Sequence, residues 1–138
     1  MSMELDDCAP VTPDHLLEQV AACKPMGYRF VTMSCVDVGG AFDIIYHFDK
    51  DYTLRNLRMR IEDGQSIPSI SSVYFAAALV ENEIKDLFGL SFTGLALDYE
   101  GRFILSEGAP TAPMRKSPVP GVTTTPPERK EIVWPKKQ

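Results

Sequence analysis

The stretch from Tyr28 to Glu62 leaves this chain few folds to choose from. It holds three runs in which apolar and polar side chains alternate, separated by two short turn-forming stretches. Successive side chains of an extended strand point to opposite faces, so alternation with period two marks a strand with one buried face. The third run is the cleanest: Leu57, Met59 and Ile61 alternate with Arg58, Arg60 and Glu62. In the second, Phe42, Ile44, Tyr46 and Phe48 share a face opposite Asp43, Ile45, His47 and Asp49. In the first, Tyr28, Phe30, Thr32, Ser34 and Val36 alternate with Arg29, Val31, Met33, Cys35 and Asp37. That strand carries apolar groups on both faces. Gly39-Gly40 and Asp49-Lys50-Asp51 have the composition of hairpin turns. Short links join antiparallel neighbours, so the expected element is a three-stranded antiparallel meander.

A sheet with one apolar face needs a cover, and two helices are available. Thr12 is a good N-cap and Pro13 fits the first helical position, where no N–H has to be bonded. Leu16, Leu17, Val20 and Cys23 then fall on one helix face, and Lys24-Pro25 ends the helix. The second helix is expected from about Val73 to Phe88, capped by Ser71 or Ser72. Val80, Ile84, Leu87 and Phe88 form its apolar stripe. Burying four such side chains contributes on the order of 6–12 kcal/mol before entropy is charged. Glu81 and Lys85 have the spacing of an i,i+4 ion pair. Gly89 suits the left-handed residue that ends a helix. Short apolar pieces at Leu90–Phe92 and Phe103–Leu105 predict a final strand or hairpin. The fold class is thus α+β: helix, meander, helix, short strand or hairpin, and an extended tail.

The tail begins where composition changes. Seven of the eleven prolines lie in residues 106–138, and Pro118, Pro120, Pro126 and Pro127 leave no room for a helix. With 138 residues one domain is expected, over residues 12–105, between a loose leader at 1–11 and a proline-rich docking tail at 106–138. Trp134 in that tail either folds back on its own domain or anchors on a partner protein, as aromatic residues do at interface hot spots. Residues 1–105 hold 8 Lys/Arg against 16 Asp/Glu, while residues 106–138 hold 6 against 3. An acidic body repels nucleic acid, and the basic tail suits an acidic protein surface. No apolar run reaches the ~18 residues of a membrane-spanning helix, and the acidic N-terminus lacks a secretion signal. A cytoplasmic location is expected, with any membrane link made through partners.

Little catalytic chemistry is visible. No Gly-x-Gly-x-x-Gly loop occurs. The three cysteines, Cys8, Cys23 and Cys35, have no paired spacing and read as small buried hydrophobes. His47 and Asp49 share a strand face and are the best acid–base pair, though a solvated or rim histidine is the favoured reading. Among the acidic residues of the second helix, Glu83 and Asp86 lie three apart on one face, with Glu81 roughly 160° from Glu83. Paired carboxylates on a helix serve as acid–base groups, as a solvated face, or as charges meeting basic residues of a partner.

Pro68-Ser69-Ile70, Ala76-Ala77 and above all Glu81-Asn82-Glu83-Ile84-Lys85-Asp86-Leu87-Phe88-Gly89-Leu90 resemble the hallmark of the respiratory complex I thirty-kilodalton subunit family. Gly27-Tyr28-Arg29-Phe30 and Tyr46-His47-Phe48 are similar to it too, so the resemblance spans residues 13–105. The family's pattern has arginine where Asn82 stands, and quinone-linked members continue with His-Pro-Asp-Leu-Arg after the position of Gly94. Here Leu95-Ala96-Leu97-Asp98-Tyr99-Glu100-Gly101-Arg102 follows instead, which looks more like the version in membrane-bound, energy-converting nickel–iron hydrogenases. The resemblance implies a subunit that is not catalytic on its own and holds no cofactor or metal. It would pack beside a large catalytic subunit of nickel–iron or quinone-site type and a small iron–sulfur subunit.

On this reading Glu81, Glu83, Asp86 and Trp134 are the partner-interface residues, while Leu87, Phe88 and Gly89 lock the helix to the sheet. Asp86→Lys should then harm assembly more than stability. A standalone protein-binding domain is the alternative function.

Overall fold

The computed structural model describes residues 8–116. Strands β2 (Arg29–Asp37), β3 (Ala41–Lys50) and β4 (Thr53–Glu62) form the expected antiparallel meander, with helix α1 (Pro13–Cys23) before it. Both hairpin turns place two successive residues at positive φ: Gly39 and Gly40 in the first, Asp51 and Tyr52 in the second. That backbone matches the right-handed twist of the strands it joins.

The sheet is not a pure meander. Cys8–Pro10, within the expected loose leader, form strand β1, which runs parallel to β4 at the sheet edge in the order β1-β4-β3-β2. Three residues are too few for alternation to register in a sequence. β2 also departs from strict alternation. Its register shifts between Phe30 and Thr32, so that Phe30 pairs with Phe48, Met33 with Tyr46 and Cys35 with Ile44. A bulge at Val31, which is exposed, moves the side-chain parity by one. Apolar residues of both parities therefore reach the same face.

That face forms one core with α1 and the second helix, α2 (Ala77–Phe88). Leu16, Val20 and Cys23 are buried from α1, whereas Leu17 is exposed. Ala77, Ile84 and Phe88 are buried from α2, with Val80 and Leu87 at the margin. Phe88 meets Phe42 edge-on, with ring centroids 6.2 Å apart. Gly89 ends α2 with φ 65° and donates its N–H to the Lys85 carbonyl. Gly89→Ala is expected to cost about 1 kcal/mol, because a Cβ is disfavoured at this φ. Urea unfolding checks this.

The start of α2 differs from expectation. Residues 71–73 form a turn, Ala76 is the N-cap, and no side chain caps it. Ser69 and Ser71 are bonded elsewhere, as described below. Of the short strand or hairpin expected after α2, a strand forms: β6 (Phe92–Thr93), which pairs in parallel with β5 (Ile67–Pro68).

The proline-rich segment does not leave the body at residue 106. Met114 donates its N–H to the Leu87 carbonyl, and Lys116 donates its N–H to Asp37 at 2.8 Å. The Arg115 guanidinium pairs with Asp63, donates to the Phe88 carbonyl and lies over the Phe42 ring. Hydrogen bonds from the Lys116 and Gly39 backbone hold the Asp37 carboxyl below its usual range. Acidic groups of the body thus capture the first basic residues of the tail. Trp134 lies outside the described residues.

Candidate functional site

The outer face of the sheet is polar. Arg60 and Arg58 hydrogen-bond Asp43 and outweigh its burial, holding its carboxyl down to about 2. His47 lies between Ser34, 3.0 Å from Nε2, and Asn56, 2.8 Å from Nδ1. Asp49 is instead gripped by the Arg29 guanidinium, with bonds of 2.8 to 3.1 Å. A surface hollow lined by Gly27, Arg29, Asp49, Lys50, Asp51 and Tyr52 excludes His47. The two residues that share a face in sequence are therefore spent on separate partners. Cys23 is buried, and burial pushes the Cys35 thiol up to about 12. Among the described residues no group of three or more His, Cys, Asp or Glu could hold a metal, and no helix is long and apolar enough to cross a membrane.

The unusual chemistry lies on α2. Glu81 and Asn82 are wholly buried and Asp86 is 3% exposed. The expected outward carboxylate face does not form from Glu81 and Asp86; only Glu83 remains half-exposed. The reason is that each buried group finds donors within the chain. Ser69 Oγ donates to Glu81 Oε1 at 2.9 Å and lies 2.7 Å from Ser71 Oγ. Ser71 Oγ in turn accepts the Ala96 N–H at 2.9 Å. Asn82 donates to the Leu97 carbonyl at 2.7 Å and accepts the Tyr99 N–H at 3.0 Å. Asp86 Oδ2 accepts the Ile104 N–H at 2.7 Å and the Leu105 N–H at 3.3 Å. Lys85 pairs with Asp98 at 2.8 Å, where an intrahelical bridge to Glu81 was expected.

Together these groups fix the backbone of residues 96–105. The motif residues act as a template for the loop that follows them. Ser71 and Asn82 were not readable as site residues, since their partners come from a loop 15 to 25 positions away. Burial raises the Glu81 carboxyl to about 7 against the opposing bonds from Ser69 and the Ile70 and Ser71 backbone. Glu81 Oε2 and the buried Tyr46 hydroxyl have no hydrogen-bond partner among the described residues. The Tyr46 phenol is raised well above its ordinary pKa, first by burial and then by the charge of Glu81.

The family described as respiratory-chain NADH dehydrogenase, 30 Kd subunit, matches this chain over residues 9–122. An NADH-quinone oxidoreductase subunit from Jannaschia sp. (strain CCS1) is 40% identical over 85 residues, covering 59% of this chain and 40% of that protein. Its namesake from Cereibacter sphaeroides is 37% identical over 86 residues, covering 59% of this chain and 42% of the relative. The chain thus spans less than half the length of these relatives. A chain in the structure of the membrane-bound sulfane sulfur reductase, described as an archaeal respiratory membrane complex, superposes with a TM-score of 0.65. It is 23% identical, with 72% of this chain and 62% of that chain covered, and the likeness is one of fold. With the motif on α2, the meander and the match over residues 9–122 in agreement, the chain belongs to the 30-kDa subunit family of respiratory-chain NADH dehydrogenase.

Proposed function

We propose that this chain is a non-catalytic, cofactor-free structural subunit of a membrane-associated oxidoreductase complex. It braces the large catalytic subunit while electron transfer is coupled to ion translocation. The supporting observation is how the motif is used. Glu81, Asn82 and Asp86 are committed to shaping a surface loop, and in the hollow that Asp86 borders, Lys85 is paired with Asp98 and Arg102 with Glu107. A residue that moves protons for catalysis needs access to substrate; Glu81 and Asn82 have no exposed surface and Asp86 is only 3% exposed. The complex is of the energy-converting hydrogenase or NADH dehydrogenase type. The Leu95–Arg102 stretch, in place of His-Pro-Asp-Leu-Arg, favours the hydrogenase type. The chain sits at the cytoplasmic face of the membrane through its large and iron–sulfur partner subunits. Glu83 and Trp134 are the remaining candidates for partner contacts from the motif and the tail.

Affinity purification of the tagged full chain from its native host tests this reading. Large catalytic and iron–sulfur oxidoreductase subunits are expected in the eluate. Purified alone after growth with iron and nickel, the chain should carry neither metal. Stoichiometric iron or nickel would overturn the cofactor-free assignment, and an eluate without oxidoreductase subunits would overturn the assembly role.

A further inference from the structure

We infer that the loop of residues 96–105 is a preformed docking element for a partner protein whose surface offers an apolar pocket rimmed by lysine or arginine. The inference rests on the reading of this chain as a complex subunit and says which of its surfaces does the bracing. It begins with the direction in which the loop faces. Its backbone is turned inward by bonds to Ser71, Asn82 and Asp86. Its side chains consequently point out, leaving Leu97 40%, Tyr99 39%, Phe103 37% and Ile104 50% exposed. Tyr99 and Phe103 stack with centroids 4.8 Å apart and planes 26° from parallel. Four large apolar groups within eight positions form an exposed patch of the kind that marks interaction sites. Aromatic anchors already fixed in place bind with little loss of side-chain freedom.

The charge around the patch selects the partner. Asp98, Glu100 and Glu107 border it, against Lys85 and Arg102. These pair off, Lys85 with Asp98 and Arg102 with Glu107 at 2.6 Å, which leaves the single negative charge of Glu100. Glu100 is exposed, and its backbone N–H is tied to Asp98 at 2.8 Å. An exposed carboxylate beside aromatic anchors is complementary to an apolar pocket bordered by a lysine or arginine. A second copy of this chain is a poor occupant, because its body is acidic too. The template explains why buried polar groups are kept in a helix that could have been apolar: they hold the loop in one conformation before the partner arrives.

The test uses the full tagged chain in its native host, with a photo-reactive benzophenone side chain at Phe103. A second variant carries it at Tyr52, which is fully exposed on the β3–β4 turn. Irradiation is expected to join position 103 to a co-purifying subunit, at a peptide where lysine or arginine borders apolar residues. The yield should exceed that from position 52 by about tenfold. Tyr99→Ser with Phe103→Ser should lower the recovered partner about tenfold, while the melting temperature falls by less than about 10 °C, the loss of one stacked pair. Glu100→Lys should lower it about threefold and weaken its salt dependence.

Oxidoreductase subunits recovered without any cross-link from position 103 would overturn the docking loop and leave the proposed function standing. A cross-link to a basic-rimmed protein outside any oxidoreductase complex would keep the loop and overturn that function. Cross-links confined to this chain's own basic residues 129–137, or to a second copy, would overturn the assignment of the occupant.

Discussion

Asp86→Lys is expected to destabilise the domain by about 3–5 kcal/mol, the cost of leaving a buried charge without its partner. Asp86 is 3% exposed and its Oδ2 accepts two backbone N–H groups from the loop. A lysine offers no acceptor, so both donors lose their bond as well. For a domain of this size that corresponds to a fall in melting temperature of roughly 15–30 °C. Asp86→Asn keeps an acceptor of the same shape and should cost only about 1–2 kcal/mol, from the weaker neutral bonds. Urea unfolding followed by circular dichroism measures both. A lysine variant as stable as the parent would show that this carboxylate is not sealed beneath residues 104–105. The sequence alone ranks assembly above stability for this substitution; burial reverses the order.

Stability should fall as pH rises from 4.5 to about 7, and Glu81 is the residue responsible. Its carboxyl is raised from 4.5 to about 7 in the folded chain, chiefly by burial. The folded state therefore keeps a proton that the unfolded chain releases through this window. The contribution is complete below 4.5 and lost as pH passes the folded value. A shift from 4.5 to about 7 corresponds to on the order of 3 kcal/mol. Glu81→Gln retains an acceptor for Ser69 and cannot titrate. The parent is expected to lose about 2–3 kcal/mol relative to this variant between pH 5 and pH 8. Equal pH profiles for the two proteins would refute a buried proton at Glu81. The Tyr46 phenol, which Glu81's charge helps to raise, and the Cys35 thiol both titrate above this window.

Both predictions concern groups whose identity was visible in the sequence and whose surroundings were not. Glu81 and Asp86 stand out as motif residues, yet neither belongs to the apolar stripe of the helix, so the sequence reads both as charges for a partner. Helical geometry describes only the sides of an isolated cylinder. α2 is covered by the sheet on the side of Ile84 and Phe88, and by residues 96–105 where Asn82 and Asp86 lie. Likewise, Lys85 chooses Asp98 over the Glu81 one turn away, because Glu81 is buried against Ser69. The tail shows the same limit: proline content excludes helix, but only the positions of Asp37 and Asp63 show that residues 115–116 remain on the body.

What the sequence determined by itself was the regular secondary structure and its cover. Alternation of period two marks β3 and β4 because the pleat alone sets which side chains share a face. Proline, a polar cap position and i,i+4 spacing locate α1 because helix ends and faces are local properties. The tertiary structure decided the rest: the bulge at Val31, the parallel edge strand at Cys8–Pro10, and the burial of three polar side chains of α2. Each depends on a backbone donor, acceptor or apolar surface brought from a distant part of the chain. A polar side chain is tolerated in the interior only where such partners arrive to meet it.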